Sequence, residues 1–206
     1  VKKNINIRNF IQDLLSNIEK DIANPIPLIN NNDIIPSKKI YKVAFIGDSY
    51  TGAKTSLINR LMNLSFEEFY PSNAPSNFIS KEVKLENGYI FNIDLWDTNG
   101  YERYRSLIKL FIKNSDCVVL GYDITRLETF NNIKNFWLNY AKEHTDAKLM
   151  YLIGNKTDLY YDEQVDENTA REFAQENNLR FFVTSCKQNY GIQNFLDDLI
   201  HEIIKI

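Results

Sequence analysis

The stretch Val43-Ala-Phe-Ile-Gly47-Asp-Ser-Tyr-Thr-Gly52-Ala-Lys54-Thr55-Ser-Leu57 decides how the rest of the chain is read, because an apolar run breaks into small residues and then into a helical pattern. That order suits a phosphate-binding loop. Gly47 and Gly52 let the backbone wrap close to phosphate oxygens, with Asp48, Ser49, Tyr50, Thr51 and Ala53 completing the wrap and Ser56 following it. Lys54 would give the terminal phosphates a cation, and the Thr55 hydroxyl would reach a magnesium ion. A helix from about Lys54 to Met62 adds its amino-terminal dipole. The strict motif puts Lys directly after the second Gly, whereas Ala53 intervenes here, so this loop is longer by that residue. An ordinary strand-turn-helix junction is the other reading of the same residues.

With 206 residues, 44% of them hydrophobic, the chain has length for one domain with a well-buried core and an extension. With a net charge of only -3, nothing suggests a large basic surface for nucleic acid or anionic lipid. Cys117 lies in the apolar run DCVVLGYD and Cys186 in a polar loop, with no paired spacing for disulfides or zinc, which fits a reducing, cytoplasmic setting. No apolar run approaches transmembrane length, and VKKNINIRNF lacks a signal-peptide cleavage pattern.

Ile7, Phe10, Ile11, Leu14, Leu15, Ile18 and Ile22 recur at helical spacing, predicting an N-terminal amphipathic helix that packs on the domain or docks on a partner. Asn24-Pro-Ile-Pro27 and Asn30-Asn-Asn-Asp-Ile-Ile-Pro36 then break regular structure. We therefore expect an amphipathic helix and linker over 1–38 and the domain itself over 39–206. In that domain short apolar runs alternate with helical patterns, the rhythm of an α/β fold with a mostly parallel sheet. Strands are expected at 40–46, 116–122, 148–153 and 180–184, with helices near 103–113, 127–143, 167–178 and 191–205. The segment 82–96 alternates strictly around Asn87-Gly88, which predicts an antiparallel edge pair. Six strands and about five helices result.

In open α/β sheets ligands bind beyond the carboxyl ends of the strands, and polar motifs follow strand after strand at that end. Asp97-Thr98-Asn99-Gly100 places a carboxylate to hold magnesium through water and an amide, that of Gly100, for a terminal phosphate. Asn155-Lys156-Thr157-Asp158 offers a carboxylate that can accept both N–H donors of a guanine edge, a donor pair adenine lacks. Ser185-Cys186-Lys187 offers the Cys186 amide to the guanine carbonyl and the Lys187 stem as support for the base. Each segment alone could be an Asn/Asp/Ser loop. His144 and His201 read as surface residues.

In this order, over about 40–206, these motifs resemble a Ras-superfamily small GTPase. Asn92-Ile-Asp-Leu-Trp96-Asp-Thr98, Glu102-Arg-Tyr-Arg-Ser106 and Tyr122-Asp-Ile-Thr125 are similar to signature segments of the Rab branch. The resemblance implies the P-loop small-GTPase fold, bound GTP or GDP with Mg2+, and a guanine-nucleotide switch in vesicle or membrane traffic. It also implies effector and regulator proteins meeting aromatics near Trp96, Tyr104 and Phe78 or Ile79, half of which the core could claim instead. Departures fall on the switch positions. Tyr101 stands where the family has the Gln that orients water, and Ala74 stands where a Thr closes on magnesium, with Ser72 or Ser76 as poor substitutes between Pro71 and Pro75. Intrinsic hydrolysis is therefore expected to be weak, and no catalytic residue is secure. The alternative is a degenerate GTPase that holds nucleotide as a scaffold or interaction module. An adenine-nucleotide P-loop enzyme is disfavoured by Asn155 to Asp158. Membrane contact is expected only through a lipid anchor on a cytosolic face, and the final residues His201-Glu-Ile-Ile-Lys-Ile206 carry no prenylation motif.

Overall fold

The computed structural model describes residues 38–68, 76–98 and 105–206. The expected N-terminal helix, and the positions Ala74, Gly100, Tyr101 and Tyr104, lie outside the described residues.

Strand β1 (Ile40–Ile46) leads through the phosphate-loop candidate into α1 (Thr55–Leu61). There follow β2 (Ser76–Lys84), β3 (Ile90–Thr98), α2 (Arg105–Ile112) and β4 (Cys117–Asp123). Next come α3 (Leu127–Asn132), a π-helical stretch (Ile133–Trp137) and α4 (Leu138–His144). The chain ends with β5 (Leu149–Asn155), a 3-10 turn (Thr157–Asp162), α5 (Glu167–Glu176), β6 (Arg180–Thr184) and α6 (Ile192–Ile203). The six strands form one sheet in the order β2-β3-β1-β4-β5-β6. Every pairing is parallel except β2 with β3, so the sheet is mostly parallel with one antiparallel edge pair.

Two expectations are refined. The helix expected over 127–143 is divided by the π-helical stretch, which raises the count of α-helices among the described residues to six. The hairpin turn is wider than a two-residue Asn-Gly turn: Lys84 pairs with Ile90, and Leu85 N donates to the Tyr89 carbonyl at 2.9 Å.

The period of a strand explains the layering. On β1, Val43 and Phe45 face the helices α1 and α6, packing with Leu57, Leu61, Phe195, Leu199 and Ile203. Ala44 and Ile46 face the other side, packing with Ile108, Ile112, Phe130, Ile133 and Trp137. Covered on both faces, β4 is buried at every position, which is why it reads as a continuous apolar run. Because β1 continues to β3 on one side and to β4 on the other, the order reverses beside β1, and a crevice opens at the carboxyl ends there. Among the described residues no helix is long and apolar enough to cross a membrane.

Candidate functional site

The loop after β1 is shaped by two close approaches. A Cβ on Gly47, at φ +139°, would lie 2.4 Å from the Gly121 carbonyl oxygen, and one on Gly52, at φ +69°, would lie 2.6 Å from Asn155 Nδ2. Ala53 fits because β4 carries Gly121 beneath it: a Cβ there would meet the Ala53 Cβ at 2.5 Å. Within the loop Tyr50 sits at φ +63° with 69% of its surface exposed. Asp48 turns its carboxylate away from the crevice. Its Oδ2 accepts from Asn132 Nδ2 and its Oδ1 from Trp137 Nε1, both at 2.7 Å, so the loop is tied to α3 and the π-helical stretch. Only its backbone is left to serve as the sequence reading expected.

Lys54 is almost fully buried and donates to the Asp48 carbonyl. Burial lowers its pKa to about 8, against the opposing pull of Asp97 and then Asp48. An ammonium desolvated to this degree is poised for an anionic partner. Thr55 Oγ1 donates to Asp97 Oδ2 at 2.6 Å. Burial raises the Asp97 pKa, while the Thr55 hydrogen bond and Lys54 oppose the rise. Asp97 Oδ1 and Ser49 Oγ are buried without a hydrogen-bond partner among the described residues. An unpartnered carboxylate oxygen beside a hydroxyl is a hard donor set that suits magnesium. No cluster of three or more His, Cys, Asp or Glu side chains stands ready among the described residues, so such an ion would draw further oxygens from phosphate and water.

On the other side of the crevice, Asn155 joins three segments. Its Nδ2 donates to the Thr51 carbonyl at 3.2 Å, and its Oδ1 accepts from Thr184 Oγ1 at 3.0 Å and from the Cys186 amide at 3.2 Å. The Cys186 amide, which the sequence reading expected to serve a base, thus donates to Asn155 within the protein. Lys156 adopts left-handed backbone geometry at φ +73°, and its Nζ lies 2.5 Å from Oδ2 of the fully buried Asp123. Asp158 Oδ1 accepts from Ser185 Oγ at 2.6 Å. Lys187 is exposed, with Nζ 3.6 Å from Glu68. The Cys186 thiol is buried, 3.6 Å from the Gly52 carbonyl, and burial pushes its pKa up to about 12.

The structure thus brings together the expected residues 47–56, Asp97, Asn155, Lys156, Asp158 and Ser185 to Lys187. Asp123 was missed as a partner of Lys156, although a carboxylate closing an otherwise apolar strand was the available signal. Trp137 and Asn132 were missed because nothing in a helical pattern marks a tie to a loop 84 or 89 residues away. On the sheet's edge, Phe78 and Trp96 are cross-strand neighbours with ring centroids 5.1 Å apart, and Phe78 is half exposed. Ile79 faces the opposite way and packs on the core, so Phe78 is the outward residue of that pair.

Residues 42–205 match the model of the Ras family. The chain is 31% identical over 175 residues to the Ras-related protein Rab7 of Cenchrus ciliaris, covering 82% of this chain and 84% of that protein.

Proposed function

From the premise that the chain belongs to the Ras family as a Rab-like small GTPase, we propose that it is a GTP/GDP switch in vesicle or membrane traffic with weakened intrinsic hydrolysis. The observation that carries the nucleotide reading is the Asn155 bridge, which holds the loop bearing Lys54 and the loop facing Asp158 at one crevice. Lys54 would meet the terminal phosphates, and Thr55 with Asp97 would hold magnesium, whose charge would neutralise that of the phosphates. The Asp158 carboxylate accepts from the guanine edge, fixed by the Ser185 hydroxyl. The backbone of 48–53 wraps the phosphates, and Lys156 and Lys187 flank the base.

Weak hydrolysis is supported by Tyr101 and Ala74. A phenol cannot orient water as an amide does, and a methyl group cannot close on magnesium. The same two residues favour a second reading, a nucleotide-holding scaffold or interaction module. Phe78 and Trp96 belong to the surface offered to effectors. The protein works in the cytoplasm or at cytosolic membrane faces, reached through a lipid anchor.

The test begins with the nucleotide content of the purified protein, followed by titration of the stripped protein with GDP and ADP. Tight GDP binding with little ADP binding is expected. Asp158→Ala should lose roughly 2–4 kcal/mol of GDP affinity, on the order of 30- to 700-fold. Equal affinity for ADP, or undiminished GDP binding in Asp158→Ala, refutes the reading.

A further inference from the structure

Arg60 lies on the last turn of α1, and no step above uses it. Its Nε donates to the Cys186 carbonyl at 2.7 Å, its Nη2 to the Lys187 carbonyl at 3.2 Å and its Nη1 to the Leu64 carbonyl at 3.5 Å. The guanidinium carbon lies 5.8 Å from the centre of the Phe66 ring. A rigid, always charged fork that spans two successive carbonyls sets the tilt of both peptide planes, which a single ammonium cannot do.

In a trans peptide the C=O and the following N–H point in opposite directions. Holding the Lys187 carbonyl therefore aims the Gln188 N–H away from α1, where it donates to Ser185 Oγ at 3.0 Å. Ser185 Oγ in turn donates to Asp158 Oδ1 at 2.6 Å. An unbroken line of polar contacts runs from Arg60 to the carboxylate that faces the base. Its grip on the Cys186 carbonyl likewise aims the Lys187 N–H away from α1. Paired backbone bonds between Ser185 and Tyr190, both 3.0 Å, close the far end of this loop, and Arg60 restrains the Cys186 and Lys187 carbonyls between them.

We infer that Arg60 is a positioning residue that sets base specificity, acting through the Lys187–Gln188 peptide and Ser185 to fix the Asp158 carboxylate. This inference rests on the guanine reading proposed above. It makes α1 a lever with phosphate chemistry at one end and the base loop at the other.

The test uses the full chain loaded with fluorescent GDP or with fluorescent inosine diphosphate, which lacks the exocyclic amino group that Asp158 would take. Dissociation of each is followed in excess unlabelled nucleotide. The parent should release inosine diphosphate faster than GDP. Arg60→Ala should speed GDP release on the order of tenfold and inosine diphosphate release by less than about threefold, narrowing the ratio between them. Arg60→Lys keeps the charge and the stem but not the fork, and should narrow the ratio similarly. It carries the test alone if Arg60→Ala does not fold. An unchanged ratio in these variants, whether both rates rise together or neither moves, overturns the inference while leaving the guanine reading standing. A parent without preference between the two nucleotides refutes the guanine reading itself, and the inference falls with it.

Discussion

Replacing Asn155 with Ala removes a buried side chain that touches both loops of the crevice, and the structure allows the cost to be worked out. Three hydrogen bonds disappear: to the Thr51 carbonyl at 3.2 Å, from Thr184 Oγ1 at 3.0 Å and from the Cys186 amide at 3.2 Å. Asn155, Thr51 and Thr184 are all buried, so the abandoned groups do not simply turn to solvent. Each lost bond costs about 1 kcal/mol net, and a buried group left unsatisfied costs about 1–3 kcal/mol. Thr184 Oγ1 also lies 3.5 Å from the Gly154 carbonyl, a fallback that recovers part of its share. A total on the order of 3–4 kcal/mol follows. For a chain of this length that lowers the melting temperature by roughly 6–16 °C. Thermal unfolding of nucleotide-free Asn155→Ala, followed by circular dichroism, gives the stability, and the release rate of fluorescent GDP gives the function. A melting temperature within about 2 °C of the parent, with GDP release unchanged, would show that the two loops are held by something else.

Lys54→Ala should weaken GTP binding by at least about tenfold while raising the stability of the nucleotide-free protein, because it removes a desolvated ammonium; unaltered affinity in a titration would refute the phosphate role. Tyr101→Gln should accelerate single-turnover GTP hydrolysis on the order of tenfold or more, and a parent rate already typical of active small GTPases would refute the weakened switch. The Cys186 thiol keeps its proton up to about 12 in the folded chain, whereas the unfolded chain releases it near 9. Between those values the unfolded state binds fewer protons, so this group's contribution to stability is full below 9 and is lost as the pH rises towards 12. At pH 8 the native thiol should accordingly resist iodoacetamide, and mass spectrometry finding Cys186 alkylated as fast as a free peptide thiol would contradict its burial.

Strands, helices and the carboxyl-end motifs could be read along the chain because each depends on neighbouring residues. Apolar runs such as Cys117 to Tyr122 mark strands covered on both faces, and Ile192, Phe195, Leu196 and Leu199 mark one face of α6. The motif order then placed Lys54, Thr55, Asp97 and Asp158 at one edge of the sheet, since parallel strands joined by helices all end on the same side. The π-helical stretch escaped notice because a single widened turn leaves the helical apolar pattern almost intact.

What the sequence by itself determined is therefore the architecture and the set of polar residues at the crevice. The tertiary structure alone decided what those residues are already doing: the Asp48 carboxylate bound to Trp137 and Asn132, the Cys186 amide given to Asn155, Lys156 paired with Asp123, and Arg60 fastened to the base loop. It also decided that an added Ala53 is tolerated, since only packing sets it over Gly121. The physical reason is one of range. Periodicity and turn chemistry act over a few residues, whereas a hydrogen bond or a close contact between segments far apart in the chain exists only once the core has brought their backbones together.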